Sequence, residues 1–272
     1  MYRLLYCLPL CLAVEAARPP HTALPIAAAS LVAVADDGNA LPDNERLERL
    51  ARTDPIAFVE ACLRRYEREV KGYRVALCKQ ERIGGKLLPP EVLDVQFREE
   101  PFSVLLEWRQ GARQARRTLY VKGENRDKLL VKPAGLAAII GVVERDPDGP
   151  DARKGGRYPL TEFGIKFGMQ RTIAAWSNAR KQKALHITYL GIKPIKELGD
   201  RPCYVLKRTE YQSPEEDGVT EYTTCIDKET WLQTGSILKG ADGQLIGEYY
   251  FHDVELNPSF KSNPFTRQFL AR

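Results

Sequence analysis

The feature that most constrains the fold is a period-two alternation of apolar and polar residues that begins after Gly72. Tyr73, Val75 and Leu77 share one phase of the alternation, and four further short segments follow at residues 93–98, 102–109, 118–122 and 129–132. Turn sequences separate these segments, and none of the intervals is long enough for a helix. Because successive side chains of a strand point to opposite faces, the pattern predicts an antiparallel meander and disfavours a parallel βαβ sheet.

Two segments with helical spacing flank this first meander. Asp54-Pro55 is typical of an N-cap followed by proline at the first helical position, and apolar residues then recur at helical spacing up to Gly72. Thr161 is expected to cap a second helix over residues 162–181, which carries apolar side chains on more than one side. The sequence therefore predicts two principal helices.

Strand patterning returns in the C-terminal third, at residues 186–192, 202–211, 220–227, 232–239 and 245–256. The turn at residues 240–243 predicts a hairpin between the last two segments. The order helix, meander, helix, meander predicts an α+β fold. We expect one long curved antiparallel sheet, an open half-barrel of about ten strands, with both helices against its concave face.

The first 35 residues are predicted to be a signal peptide. Their two apolar runs, residues 4–14 and 23–35, are both shorter than the roughly 18 residues of a spanning helix. Ala33-Val34-Ala35 places small residues at the −3 and −1 positions of a cleavage site. We expect cleavage after Ala35, a periplasmic protein, a linker with a short helix over residues 36–53 and one domain over residues 54–272. A leader without an export role is the alternative.

The charge pattern bears on the kind of partner. The formal net charge is +5, and basic residues cluster at residues 64–68, 113–117 and 181–183. Acidic or apolar residues interrupt each cluster, unlike the continuous stripe of a nucleic-acid-binding surface. We expect a monomer that binds no nucleic acid. Weak contact with an anionic membrane surface is the alternative to simple solvation of these faces.

Four cysteines remain after the predicted signal peptide: Cys62, Cys78, Cys203 and Cys225. They form no C-x-x-C pair, and no histidine lies at metal-ligand spacing from them, so we expect no metal site. A turn at residues 213–218 lies midway between Cys203 and Cys225. In an oxidising compartment this hairpin predicts a disulfide between these two cysteines, and four buried free thiols are the alternative.

The motifs of common enzymes are absent from the sequence. His186 and His252 lie in strand patterns without a G-x-S-x-G signature, and there is no H-E-x-x-H, P-loop or G-x-G-x-x-G motif. Pairs such as Glu99-Glu100 do not stand out from ordinary surface usage. The sequence therefore predicts a non-catalytic protein without a cofactor. An enzyme that acts on envelope polymers is the minor alternative.

Several short motifs carry a resemblance to a known family. Residues 226–232, 242–243, 248–251 and 256–258 (IDKETWL, DG, EYYF and LNP) resemble the closing strands of the LolA/LolB/RseB superfamily. Residues 73–82, 100–104 and 157–161, together with Gly164, resemble domain-of-unknown-function family 1571, which is counted in that superfamily. The resemblance implies an open barrel with a helical lid around a cavity for acyl chains, and it implies no catalytic activity.

The leading functional hypothesis is a carrier or sensor that holds an apolar ligand, such as a lipid or a lipoprotein acyl chain, between sheet and helix. The candidate ligand-binding residues are the apolar phase of the first meander and two aromatic residues of the second helix: Val75, Leu77, Phe97, Leu106, Trp108, Phe163 and Phe167. The same residues are also expected in an ordinary packed core. An envelope interaction module of the RseB kind, without a small ligand, is the alternative function.

Overall fold

The computed structural model describes residues 40–150, 155–211, 218–260 and 262–272. The predicted signal peptide, with its cleavage site after Ala35, and most of the predicted turn at residues 213–218 lie outside this range. No helix of the described residues has the length and apolar character needed to cross a bilayer.

Twelve strands form one antiparallel sheet, which confirms the predicted α+β fold with a single long sheet. Its strands are β1 (Gly72–Ile83), β2 (Lys86–Leu87), β3 (Glu91–Arg98), β4 (Ser103–Gln110), β5 (Ala115–Val121), β6 (Leu129–Pro133), β7 (Val143–Arg145), β8 (His186–Ile195), β9 (Arg201–Thr209), β10 (Glu221–Asp227), β11 (Gln233–Lys239) and β12 (Leu245–Leu256). The two strands beyond the predicted ten, β2 and β7, are too short for an alternation to show in the sequence.

The spatial order is β7-β6-β5-β4-β3-β1-β12-β11-β10-β9-β8, and β2 pairs only with β1. The two meanders are therefore joined through β1 and β12, the first and last long strands of the chain. The edge strands β7 and β8 do not pair with each other, so the sheet stays open.

The four described helices of more than one turn are α1 (Asn44–Thr53), α2 (Pro55–Glu69), α3 (Ile165–Lys181) and α4 (Arg267–Ala271). The predicted start of α2 is confirmed: the Asp54 carboxylate accepts a hydrogen bond of 3.2 Å from the backbone N–H of Ala57, and Pro55 is the first helical residue. Helix α1 begins in the same way, at the N-cap Asp43.

The predicted start of α3 is wrong by three residues. Residues Leu160–Glu162 form only a short 3-10 turn, without a side-chain cap, and the α-helix begins at Ile165 after Gly164. Gly164 has a φ of +118°, and a Cβ there would lie 2.7 Å from the Tyr73 hydroxyl. That hydroxyl accepts a hydrogen bond of 3.3 Å from the Ile165 N–H. The first backbone N–H of α3 therefore donates to the side chain of a distant strand residue and not to the local Thr161.

The two faces of the sheet carry different cores. The inner face, which carries Val75 and Leu77, contributes with α1, α2 and α3 to the main hydrophobic cluster. The outer face carries smaller clusters, and α4 covers one of them with Leu270 next to Leu105 and Leu119. A second outer cluster contains Cys203 and Cys225.

The predicted disulfide is not confirmed, because all four described cysteines are free thiols. Cys203 lies opposite Asp227, and Cys225 lies opposite Val205. The two cysteines share the outer face, but the hairpin register offsets them by two residues instead of placing them directly opposite each other. The expected alternative of buried thiols holds for Cys62, Cys203 and Cys225, each at most 1% exposed, while Cys78 is partly exposed.

Candidate ligand-binding site

A cavity of about 890 Å³ lies between the inner face of the sheet, α3 from Ile165 to Trp176 and the segment that precedes α3. Four of the seven predicted ligand-binding residues line it: Leu77, Leu106, Trp108 and Phe163. The apolar lining also includes residues that the sequence analysis did not single out: Leu93, Leu129, Val131, Ile140, Leu160 and Phe251.

The other three predicted residues lie outside this lining. Val75 is 4% exposed and belongs to the main core. Phe97 stacks on Tyr73 with ring centroids 4.7 Å apart. Phe167 lies on α3 with its ring edge-to-face against Phe102, at 6.0 Å. The structure therefore brings Leu77, Leu106, Trp108 and Phe163 together and leaves these three beside or behind them.

The volume of the cavity exceeds what a packed interior tolerates. Protein cores contain few voids larger than a water molecule, and ligand pockets span about 300–1,000 Å³. The cavity is therefore a space for solvent or ligand and not a defect of core packing.

A strap formed by residues 155–164 borders the cavity and contains the family motif at residues 157–161. Two aromatic pairs join it to β12: Tyr158 with Tyr249 at 6.0 Å, and Phe163 with Phe251 at 6.3 Å. The backbone N–H of Arg157 also donates to the Glu81 carboxylate, at 3.2 Å. These contacts explain why a segment with little regular secondary structure has a defined position over the sheet.

The cavity lining includes a buried charged cluster made of Lys79, Glu81, Glu91 and Arg113. The Lys79 Nζ lies 2.6 Å from Glu81 and 3.0 Å from Glu91. Glu91 also accepts from the Trp108 indole at 3.1 Å and from Arg113 at 3.3 Å. Each buried carboxylate thus has several donors, which offsets its desolvation.

Sequence reasoning missed this cluster, although a signal was present. Lys79 and Glu81 continue the inward phase set by Val75 and Leu77, and their side chains are only 10% and 4% exposed. Two opposite charges at consecutive inward positions of a strand predict an internal ion pair. The contribution of Glu91 from β3 was decided by the sheet register, since Glu91 lies opposite Lys79.

Electrostatics keep the cluster charged. Burial opposes the charge of Lys79, but the carboxylates of Glu81 and Glu91 raise its pKa above the ordinary value. Burial acts to raise the pKa of Glu81, but Lys79 and the hydrogen bond of 2.7 Å from Tyr249 hold it below the usual range. Burial and the charge of Glu81 together raise the pKa of Tyr249 far above its normal value, so its phenol remains a donor. The cavity lining thus combines apolar side chains with a persistently charged cluster.

A second polar group in the lining is neutral. Gln233 donates to the Tyr222 hydroxyl at 2.9 Å and to Ser236 at 3.0 Å, and its oxygen accepts from Thr172 at 3.1 Å. Thr172 also donates to the Gly168 carbonyl one turn earlier on α3. Burial raises the pKa of Tyr222, so this network stays uncharged.

An exposed apolar turn lies next to the cavity. The 3-10 helix Gly135–Ile140 connects β6 to β7, and Leu136, Ile139 and Ile140 are 98%, 93% and 69% exposed. Ile140 also belongs to the cavity lining. Apolar surface thus continues from the interior of the cavity to this turn, and the basic side chains of Arg116 and Lys132 lie against the same turn.

The described residues contain no group of three or more His, Cys, Asp or Glu side chains arranged to hold a metal ion. Besides the two networks above, the lining carries further polar groups, among them the Thr118 hydroxyl and the Trp176 indole, whose buried Oγ1 and Nε1 have no hydrogen-bond partner among the described residues.

Comparison with known proteins identifies the family. The sequence profile of DUF1571, described as a protein of unknown function, matches residues 70–269 and confirms the resemblance found in the sequence. Among curated protein sequences, none matches this chain.

Several solved structures match this chain at low sequence identity. A chain in the structure of the Pseudomonas aeruginosa MucA/MucB complex has 15% sequence identity to this chain and a TM-score of 0.45. The match covers 78% of this chain and 60% of that chain. The Mycobacterium tuberculosis lipoprotein LppX is 10% identical, with a TM-score of 0.41, over 76% and 98%. A LolA superfamily protein from Nitrosomonas europaea is 10% identical, with a TM-score of 0.32, over 78% and 99%. This chain spans about three fifths of the MucB chains that it matches, 62% and 60%.

Proposed function

This chain belongs to the DUF1571 family, and we propose that it is an exported, non-catalytic binding protein that holds the acyl chain of a lipid or lipoprotein between its sheet and α3. The observation that carries this proposal is the cavity of about 890 Å³, which is too large to be an empty part of the core. Its lining is mainly aliphatic and aromatic, as expected for a site that removes an acyl chain from water.

The arrangement of polar groups favours an amphipathic ligand. An acyl chain has no polar group for the buried charges to bind, whereas a head group supplies donors and acceptors. The charged cluster forms one part of the cavity lining, so a ligand with its chain against Leu106 and Phe163 would place its polar end against the part formed by Lys79 and Arg113. The cations of the cluster donate hydrogen bonds and its two carboxylates accept them, so the cluster suits a polar group that both donates and accepts.

The exposed apolar turn supplies a contact for the membrane from which a lipid would be taken. Leu136 and Ile139 are almost fully exposed, and Arg116 and Lys132 lie next to the same turn. Apolar side chains flanked by cations match the chemistry of an anionic bilayer interface. Cosedimentation with vesicles of anionic phospholipid tests this contact. We expect binding that falls with added salt and that is lost when Leu136 and Ile139 are both replaced by serine.

The ligand itself is tested by organic extraction and mass spectrometry of the purified protein. A lipid that copurifies supports the carrier function. Absence of lipid, together with no binding of a fluorescent fatty acid, contradicts it and leaves the envelope interaction module as the function to test.

A matched pair of variants localises the site. Phe163→Ala removes a ring that lines the cavity, and Phe167→Ala removes a ring of the same type that packs against Phe102 outside it. We expect Phe163→Ala to weaken binding of the fatty acid about tenfold, or about 1.4 kcal/mol. Phe167→Ala should leave the affinity nearly unchanged. Equal losses of affinity in both variants would contradict a binding site at this cavity.

Export is part of the proposal and has its own test. N-terminal sequencing of protein from the periplasmic fraction should begin at Asp36. A full-length cytoplasmic product would contradict the signal peptide.

A further inference from the structure

On the face of the sheet opposite the cavity, Cys78 of β1 lies beside His252 of β12. The Cys78 Sγ is 3.2 Å from the His252 Nε2, and the His252 Nδ1 is 3.0 Å from a carboxylate oxygen of Asp253. The neighbours of Cys78 in sequence, Leu77 and Lys79, both line the cavity, so Cys78 points away from it. Thiol, imidazole and carboxylate thus form a continuous chain of contacts on the outer face.

A β-bulge makes this chain possible. In a regular strand, consecutive side chains point to opposite faces, so His252 and Asp253 would be separated by the sheet. Asp253 instead has a φ of +55°, and the pairing of β1 with β12 shifts its register between Arg74 and Ala76, opposite this position. The bulge brings the Asp253 carboxylate to the imidazole of the preceding residue, and bulges are frequent next to functional sites.

The carboxylate determines the role of each ring nitrogen. An ionised carboxylate can only accept a hydrogen bond, so Nδ1 carries the proton of a neutral imidazole and Nε2 is left as the acceptor. Nε2 is the atom that faces the Cys78 sulfur. A nucleophile in reach of a base, which is in turn oriented by a third group, is the arrangement found in nucleophilic sites.

Cys78 differs from the other described cysteines. Cys62, Cys203 and Cys225 are at most 1% exposed, and burial raises the pKa of Cys203 to about 11 and of Cys225 to about 12. Cys78 is partly exposed, and the His252 side chain beside it is 26% exposed. Among these four thiols, Cys78 therefore combines access to solvent with a neighbouring base.

The surrounding charges decide how the thiolate forms. Partial burial raises the pKa of Cys78, Arg109 on β4 acts to lower it, and Asp253 acts to raise it. Arg109 is itself paired with Asp94 on β3, and Tyr250 on β12 donates to Glu248. Because the thiol is protonated at neutral pH, it needs a base at the moment of reaction, and His252 is in position to supply it.

We propose that Cys78 is a nucleophilic thiol that exchanges with external disulfides, with His252 as its base and Asp253 as the positioning residue. In this step the His252 Nε2 takes the proton of the Cys78 thiol, and the sulfur attacks one sulfur of the disulfide. A new S–S bond forms, the old S–S bond breaks, and the leaving half departs as a thiolate. Cys78 is oxidised to a mixed disulfide while the external disulfide is reduced.

The test measures the reaction of the folded protein with 5,5′-dithiobis(2-nitrobenzoate), an aromatic disulfide whose released thiolate is coloured. In protein whose Cys7 and Cys11 are replaced by serine, we expect one fast-reacting thiol among the four described cysteines, and Cys78→Ser should abolish it. His252→Gln should slow the reaction about tenfold or more, as expected for loss of a base. Asp253→Asn should slow the reaction by a smaller factor than His252→Gln does. His186→Gln is the matched control, since His186 also contacts a carboxylate, Glu210 at 3.4 Å, but has no role here.

The pH profile separates a base from a merely structural neighbour. A thiol without a base loses reactivity steadily as the pH falls below about 8.5. The native protein should keep more of its rate at pH 7 than His252→Gln does, while thermal melts show that both are folded. Equal rates and equal pH profiles in the native protein and His252→Gln would overturn the proposal, as would a fast thiol that survives Cys78→Ser.

Discussion

The inner face of the sheet is closed in two different ways. Under α2 the interior is solid: Phe58 is fully buried and packs edge-to-face on Tyr204 at 5.4 Å. Elsewhere the strap and one side of α3 form the cover, and the space between them and the sheet stays open as the cavity. The strands below both regions show the same apolar phase. The difference teaches that a strand pattern specifies a buried face, while the covering element decides whether that face becomes core or cavity.

The largest expected effect is in the packed region. Phe58→Ala removes a fully buried ring and should reduce the free energy of unfolding by about 3–5 kcal/mol. Its affinity for a fatty acid, measured at a temperature where the variant is folded, should match that of the native protein. Urea denaturation and a binding titration check these two results. A loss of affinity without a loss of stability would break the distinction between the two regions.

The stability of the protein should also be sensitive to changes in the charged cluster of the cavity lining. Lys79→Met leaves the carboxylates of Glu81 and Glu91 buried without their shared cation, and breaking a buried ion pair costs about 3–5 kcal/mol. We expect Lys79→Met to lower the free energy of unfolding by about 3 kcal/mol at pH 7, the lower end of that range. The reason is that Arg113 and Tyr249 still donate to these carboxylates. Urea denaturation of the native protein and the variant at pH 7 and pH 4 measures the difference.

The pH dependence of that difference has a defined sign. The folded-state pKa of Glu81 is lowered, so its contribution is present above its unfolded pKa of about 4.3 and is lost as the pH falls through the folded pKa. The folded-state pKa of Lys79 is raised, so its contribution is present below about 10.4 and is lost only as the pH rises through the folded value. The difference in free energy of unfolding between native protein and Lys79→Met should therefore begin to shrink at pH 4, just below the unfolded pKa, and shrink further as the pH falls towards the folded pKa. An unchanged difference would mean that Glu81 is not ion-paired.

The smallest expected effect is at Asp54, where α2 contacts α3. Asp54 caps α2 and also lies 3.2 Å from Arg180 of α3. Asp54→Ala should cost about 1 kcal/mol through loss of the cap, since the exposed ion pair adds little. Arg180→Ala is the control for the pair and should cost less. If Arg180→Ala proved as costly as Asp54→Ala, the contact between the two helices would be more important than the cap.

The two helix starts show how far sequence reasoning reached. The start of α2 was predicted to the residue, because local groups meet the needs of its first turn. The Asp54 carboxylate accepts from a backbone N–H of that turn, and Pro55 has no N–H that needs an acceptor. The start of α3 was not, because the acceptor for its first N–H is the hydroxyl of Tyr73, 92 residues earlier. The same reason applies to the outer face: no local pattern brings Cys78 to His252, which are 174 residues apart.

By itself, the sequence determined the α+β class, the single antiparallel sheet, the positions of ten strands and the inward phase that contains Leu77, Leu106 and Trp108. These follow from period and turn chemistry, which act between neighbours along the chain. Only the tertiary structure decided the cavity, the Lys79–Glu81–Glu91 cluster and the covering of the outer face by α4. Each depends on sheet register and on which segment covers which face, because burial is set by contacts between residues far apart in the chain.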